Sequence, residues 1–330
     1  MGASAASAAT ATAQHETAID VRGLTRRFGQ FVAVDNVSFD VRRGEIFGFL
    51  GSNGAGKSTT IRMMMSIIYP DSGSIEVLGS SALQNKDRIG YLPEDRGLYR
   101  KMRVADYLEY IAQLKGIARK EARRRAADWL ERIDLPGVSR KKCQELSKGM
   151  QQKVQFLAAV MHDPDLIILD EPFSGLDPVN SALLNALIRE QQDNGKTIIF
   201  STHVLPQAEQ ICDRIFLINK GVKLLDATLG EIRERFDPRT IVVEPLNGVF
   251  DASGIPGVRH FQPVKDSPKF EIEVDEGVDR QQVMRDIVER RPVRGVELRR
   301  LSMEEVFVRL VHSDRGEHAA AVAREELRHV

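Results

Sequence analysis

Three short segments carry residue types and spacings that could do chemistry. In the first, Gly51-Ser52-Asn53-Gly54-Ala55-Gly56-Lys57-Ser58-Thr59, three glycines precede a lysine and two hydroxyls. Glycines let backbone N–H groups converge on phosphate oxygens, and a helix beginning there adds its positive end. Lys57 can reach β- and γ-phosphates, and Ser58 can ligate Mg²⁺. The bland alternative is a Gly-rich turn into a helix. An apolar strand before the motif and a helical pattern after it favour a phosphate loop. In the second, Leu166-Ile167-Ile168-Leu169-Asp170-Glu171 sets two carboxylates at the end of an apolar run. Asp170 would hold Mg²⁺ through its water shell, and Glu171 would orient or deprotonate an attacking water. An ordinary loop could also carry an Asp-Glu pair, but the strand before it and Pro172 after it favour function. In the third, His203 follows the apolar strand Thr197–Phe200 and could donate to a γ-phosphate. Alone, such a loop histidine reads as solvated or structural.

Positioning these residues requires a parallel sheet. The runs Glu45–Leu50, Ile89–Leu92, Leu166–Leu169, Thr197–Phe200 and Arg214–Ile218 are short, apolar and without alternation, as in strands covered on both faces. Helical patterns lie between them at Ser58–Met65, Val104–Gly116, Arg119–Ile133, Gly149–Met161 and Ser181–Asp193. Strands alternating with helices predict an α/β domain. Ala18–Leu24 and Val32–Arg42 alternate instead, which suits half-buried antiparallel strands. Tyr107, Leu108, Ile111 and Leu114 recur at helical spacing and read as core, and Met63, Met64 and Met65 as filler behind the phosphate loop.

From about Arg239 the pattern changes to short strands and two short helices, punctuated by Pro238, Pro245 and Gly248. Strands are expected at Thr240–Glu244, Val258–Val264, Phe270–Val274 and around Val293–Leu301. Helices are expected from near Asp279 and at Ser302–Val311, where Ser302 and Glu305 fit a capping box. The resulting division is a leader over 1–18, a first domain over 19–238, a small α+β domain over 239–312, and a helical or disordered tail over 313–330.

Composition narrows the function classes. The 330 residues contain 47 basic and 47 acidic side chains, so net charge is zero and the electrostatic footprint of nucleic-acid binding is missing. No segment approaches the ~18 consecutive apolar residues of a membrane-spanning helix. Cys143 and Cys212 lack metal-ligand spacing and read as reduced thiols. The leader is rich in Ala, Ser and Thr, with Glu16 its only charge, and does not read as a signal peptide. Ala6 stands where a myristoylation signal wants Ser or Thr. Between Lys115 and Lys142 lie ten basic and four acidic residues. A solvated helix face is the first reading, and contact with anionic lipid headgroups is the other.

Order along the chain adds specificity. The phosphate loop, Leu146-Ser147-Lys148-Gly149-Met150, the Asp170-Glu171 strand end, Ser174-Gly175-Leu176-Asp177 and His203 follow one another. In this, the stretch from Ile19 to Asp226 resembles the ATP-binding cassette ATPases. The resemblance implies a P-loop core with a RecA-like parallel sheet, an antiparallel β subdomain and a helical subdomain over about 95–160. It implies ATP and Mg²⁺ as ligands. Phe28 matches the aromatic that stacks on adenine, where the family more often has Tyr. Ser147 and the Gly149 N–H match the signature segment that meets the γ-phosphate bound by the other subunit. Lys148 and Met150 depart from its usual Leu-Ser-Gly-Gly-Gln. Ser147 can be a helix N-cap at the same time. Asp177 matches the loop through which two active sites communicate. Glu94 stands where the family usually has a metal-touching Gln; a carboxylate can ligate Mg²⁺ but repels a γ-phosphate.

Glu94, the altered signature and the appended domain together resemble the ATPases of type-2 exporters, the sodium- and drug-export branch. The implied function is ATP hydrolysis coupled to transport. Two copies would sandwich ATP and act on separately encoded membrane permease subunits, at the cytoplasmic side of the membrane. The alternative is a soluble cassette ATPase not coupled to transport, such as one serving iron–sulfur assembly. The C-terminal domain carries no catalytic constellation, and its candidate roles are contact with a second copy, gating or ligand binding.

Overall fold

The computed structural model describes residues 17–95 and 97–312. The expected tail, and the leader up to residue 16, lie outside the described residues. The first strand begins one residue before the expected Ala18, at Thr17, which pairs with Arg42, and Ala18 is buried. The chain divides into two compact units between Leu229 and Gly230.

In the first unit, β1 (Thr17–Phe28), β2 (Phe31–Arg42) and β4 (Ser72–Val77) form a three-stranded antiparallel sheet in the order β2-β1-β4. A six-stranded sheet is built from β3 (Ile46–Leu50), β5 (Ile89–Leu92), β6 (Leu166–Asp170), β7 (Thr197–Thr202), β8 (Arg214–Asn219) and β9 (Val222–Thr228). Its order is β5-β6-β7-β3-β8-β9, and every pairing is parallel except that of β9. All residues of β3, β6 and β7 are buried, which explains their continuous apolar runs.

The two sheets share a core in which Phe39, Phe47, Phe49 and Phe216 pack with centroids 4.8 to 6.0 Å apart. Helix α1 (Lys57–Met64) buries Met63 and Met64 in that core as expected, and Met65, just past its end, packs against it partly buried. Helices α2 (Val104–Leu114), α3 (Arg119–Arg132) and α4 (Lys148–Val160) build the helical part of the unit. Glu109 on α2 is buried and pairs with Arg119 and Arg123 of α3. Leu114, expected in the core, is 57% exposed. It ends the last turn of α2, just before the chain reverses at Gly116 with φ of +82°. Helices α5 (Pro178–Asp193) and α6 (Leu205–Ile211) complete the unit, and α7 (Leu229–Arg235) marks the passage to the second.

In the second unit, β10 (Thr240–Pro245), β11 (Val258–Pro263), β12 (Phe270–Val274) and β13 (Val293–Leu298) form an antiparallel sheet in the order β11-β12-β10-β13. Helix α8 (Arg280–Arg290) packs Val283 and Ile287 on Ile241, Val243 and Ile272. Asp279 caps it by accepting from the Gln281 N–H at 2.9 Å. Residues 303–312 form a final helix, α9. Its capping box is complete: Glu305 N–H donates to Ser302 Oγ at 3.3 Å and Ser302 N–H to Glu305 Oε2 at 2.9 Å.

Candidate nucleotide site

The loop between β3 and α1 needs its glycines for space. A Cβ on Gly51 would lie 2.3 Å from the Ile218 carbonyl oxygen. At Gly56, with φ of +108°, it would lie 2.5 Å from the Ala33 carbonyl. The chain can therefore turn only with bare backbone, leaving the free N–H groups of the α1 start pointing out of the turn. Lys57 is buried, and its Nζ donates to the Gly51 carbonyl at 2.8 Å and the Ser52 carbonyl at 3.3 Å. Burial lowers its pKa, while Glu171, Asp170 and Glu94 act in the opposite direction. A phosphate would replace those carbonyl contacts with charge-assisted ones.

Asn53, Gly54, Gly56, Lys57, Ser58 and Thr59 line a cavity of about 240 Å³, into which Glu94, Asp170 and Glu171 also project. Phe31 and Ala33 of β2 complete its lining. Gly51, Ser52 and Ala55 shape the loop without lining the cavity; Gly51 and Ala55 are buried and Ser52 is exposed.

Asp170 ends β6 only 2% exposed, and its Oδ1 has no hydrogen-bond partner. Burial raises its pKa to about 6; the Ser201 hydroxyl and Lys57 oppose the shift, and Glu94 and Glu171 add to it. A buried, unpartnered carboxylate oxygen beside a phosphate loop fits a divalent cation. Ser58 Oγ and Glu94 Oε2, 3.4 Å apart, are the other oxygens in reach. Among the described residues no group of three or more His, Cys, Asp and Glu side chains forms a metal cage.

Glu171 has φ of +50° and donates its N–H to the Ser201 carbonyl at 2.9 Å. Its Oε2 accepts from Thr202 Oγ1 at 3.0 Å, and its Oε1 from the His203 N–H at 2.9 Å. His203 Nδ1 lies 2.6 Å from that same Oε1. Thus His203 reaches the site through Glu171, and it does not line the cavity itself. Gln152 of α4, 3% exposed, donates to the carbonyls of Glu171 and Pro172 at 3.3 and 3.0 Å. Sequence reasoning missed both Thr202 and Gln152. Gln152 has no distinguishing signal in sequence, because Lys153 and Gln155 of the same helix are buried as well.

Several expected residues stand elsewhere. Phe28 does not line the cavity; it is 48% exposed, with the Arg26 guanidinium 4.8 Å from its ring centre. Its cross-strand partner Phe31 lines the cavity instead. Sequence reasoning missed Phe31, which has no motif of its own. Ser147 caps α4, accepting from the Met150 N–H at 3.2 Å. A Cβ on Gly149 would meet Leu176 Cδ2 at 3.4 Å, so the two expected recognition loops adjoin each other. Asp177 caps α5, accepting from Asn180 N–H at 2.8 Å and Asn180 Nδ2 at 2.6 Å, which lowers its pKa. Ser147, Gly149 and Asp177 do not border the cavity.

Comparison with known proteins agrees with this geometry. The family described as "ABC transporter" matches residues 34–174. An uncharacterized ABC transporter ATP-binding protein of Bacillus subtilis, YhaQ, is 37% identical over 289 residues, covering 87% of this chain and 96% of its own. The chain belongs to the ABC transporter ATP-binding proteins. Residues 228–311 of this ABC protein match the C-terminal domain of the "ATP-binding protein DrrA1-3-like" family. The linearmycin resistance ATP-binding protein LnrL of B. subtilis is 31% identical over 260 residues, 78% of this chain and 83% of its own. The bacitracin transport ATP-binding protein BcrA of Enterococcus faecalis is 34% identical over 225 residues, 67% of this chain and 72% of its own. A solved ATP-binding subunit of an ABC transporter superposes with a TM-score of 0.62 at 33% identity, covering 67% of this chain and 93% of that one. The expected fold and ATPase class therefore hold: ABC ATP-binding proteins bind ATP and hydrolyse it. Among the described residues no helix is long and apolar enough to cross a membrane.

Proposed function

We propose that this ABC ATPase powers export through separately encoded permease subunits, and that two copies close around two molecules of Mg²⁺-ATP. The carrying observation is that one chain gathers the phosphate loop, Asp170, Glu171 and Glu94 in one cavity while Ser147, Gly149 and Asp177 lie outside it. A second copy presenting Ser147 and the Gly149 N–H would complete each site, with Asp177 between the two sites. Relatives named for linearmycin resistance and bacitracin transport support the export reading.

Within each site Lys57 and the loop N–H groups would hold the β- and γ-phosphates, and an aromatic of the β1–β2 turn would cover the base. Ser58, Asp170 and Glu94 would hold the metal, which shields phosphate charge and orients the γ-phosphate. Glu171, held by Thr202 and His203, would align the water and accept its proton, and His203 would donate to the γ-phosphate once the dimer closes. The protein would work from the cytoplasmic face of the membrane, docked on its permease. Two measurements test this. Lys57→Ala and Glu171→Gln should abolish phosphate release, and Glu171→Gln should elute as an ATP-dependent dimer in size-exclusion chromatography. Hydrolysis at the parent rate in both variants overturns the site assignment; purification from native membranes without any permease overturns the transport coupling.

A further inference from the structure

Helix α4 lies along the segment that follows β6. Gly149 and Gln152, three residues apart, share one face of the helix. At the helix start, a Cβ on Gly149 would meet Leu176 Cδ2 at 3.4 Å and the Gly175 carbonyl oxygen at 3.5 Å. One turn on, Gln152 is 3% exposed, and its Nε2 donates to the Pro172 carbonyl at 3.0 Å and the Glu171 carbonyl at 3.3 Å. Among the described residues these are the only side-chain hydrogen bonds between α4 and residues 171–177.

The turn that receives these bonds is strained. Glu171 sits at φ of +50°, a conformation that costs a residue with a side chain on the order of 1–3 kcal/mol unless its surroundings hold it. Its N–H is held by the Ser201 carbonyl at 2.9 Å, and its own carbonyl also accepts from the Ser174 N–H at 3.1 Å. Thr202 and His203 fix the carboxylate oxygens, whereas Gln152 fixes the peptides on the far side of the Cα. Both ends are needed to set the direction in which the side chain leaves the backbone. Gln155 offers a contrast on the same helix: it too is 3% exposed, but neither atom of its amide has a hydrogen-bond partner.

We infer that Gln152 is a positioning residue for Glu171 and links the start of α4 to that carboxylate. The inference rests on the proposed reading in which Glu171 aligns the water while Ser147 and the Gly149 N–H meet the nucleotide of a second copy. Ser147 caps the same helix five residues before Gln152, a distance of about 7–8 Å along the axis. The helix is continuous between them, so nucleotide pressing on its N-terminus displaces Gln152 as well. Gln152 delivers that displacement to the Glu171 and Pro172 carbonyls, and the carboxylate is aligned when the dimer is closed. Lys57 and the phosphate loop hold nucleotide without Gln152, and Ser147 engages the second copy without it. Removing its donor therefore separates binding and closure from the chemical step.

The test is steady-state ATP hydrolysis by the full chain carrying Gln152→Met, which keeps the side-chain length and removes the donor. Its kcat should fall about 10- to 100-fold while KM for ATP stays within about twofold of wild type. The variant should still elute as an ATP-dependent dimer in size-exclusion chromatography, as Glu171→Gln should. Gln155→Met, the same exchange at the unpartnered amide, should change kcat by less than about twofold. Gln152→Ala, which fills less space, carries the same expectation if thermal melts show that the methionine variant does not fold. A kcat within about twofold of wild type, a raised KM with kcat unchanged, or an equal loss of kcat in Gln155→Met overturns the proposal. So does the absence of an ATP-dependent dimer where Glu171→Gln forms one. Glu171→Gln run alongside separates the two readings: hydrolysis at the parent rate defeats the role of Glu171 itself, whereas an inactive Glu171→Gln beside an unslowed Gln152→Met defeats only the role of Gln152.

Discussion

The two units of this protein treat buried polarity differently. In the first, buried side-chain atoms without a hydrogen bond or ion pair occur at Arg26, Gln155, His162, Asp170 and Ser201; among the described residues the second unit has none. The first unit also holds Glu171 at a positive φ within its site. The second is a four-stranded sheet on an apolar core, with charges in surface pairs such as Lys269–Glu297 and Arg299–Glu271. Leaving a buried carboxylate oxygen unpartnered has a cost that evolutionary selection removes unless a ligand meets the group. The contrast places the candidate chemistry in the first unit.

The largest expected effect is at the site itself. Lys57→Ala or Glu171→Gln should lower ATP turnover at least ~100-fold, about 3 kcal/mol in barrier, measured as phosphate release. Substitution in the core of the second unit should do the reverse. Ile272→Ala should destabilise that unit by roughly 2–5 kcal/mol in denaturant unfolding while turnover changes less than about twofold. Loss of turnover comparable to Lys57→Ala would break the comparison.

Asp170 offers a finer measure. Its folded pKa, raised to about 6 from 3.8, makes the ionised form a burden on the folded state. The burden is present above about pH 6, declines as pH falls and disappears below the unfolded value. In protein free of nucleotide and metal, Asp170→Asn should therefore raise stability by about 3 kcal/mol at pH 8 and by little near pH 4, read from thermal melts. Equal gains at both pH values would show that the unpartnered oxygen is not carrying charge.

The smallest effect concerns the aromatic turn. Phe31 lines the cavity while Phe28 stands outside it under the Arg26 guanidinium. Phe31→Ala should weaken ATP binding by about 0.5–1.5 kcal/mol, up to roughly tenfold, while leaving inorganic tripolyphosphate binding unchanged. Calorimetry with both ligands separates base contact from phosphate contact.

Elements with strong periodicity or continuous apolar runs were legible, and so were the contiguous motifs. Gly51–Thr59 and Asp170-Glu171 meet in one cavity because β3 and β6, the two parallel neighbours of β7, end on the same edge of the sheet. Elements with weak patterns were not. β4 is largely exposed and lacks alternation, α6 is a short helix, and β9 is an antiparallel edge with few buried residues. Leu114 fits the helical spacing of α2, but at the end of the helix it is left more than half exposed.

By itself the sequence determined the chemistry available: a glycine-rich turn before Lys57, a carboxylate pair after a buried strand, and a histidine after another. These are local patterns, and backbone sterics and burial act on them over a few residues. Tertiary structure alone decided which distant groups share a neighbourhood. It put Phe31 rather than Phe28 at the cavity, coupled Glu171 to Thr202 and His203, and left Ser147 outside. It also neutralised the arginines of α3. Charge counts are sums over the chain, whereas pairing depends on distance, and only the fold sets distance.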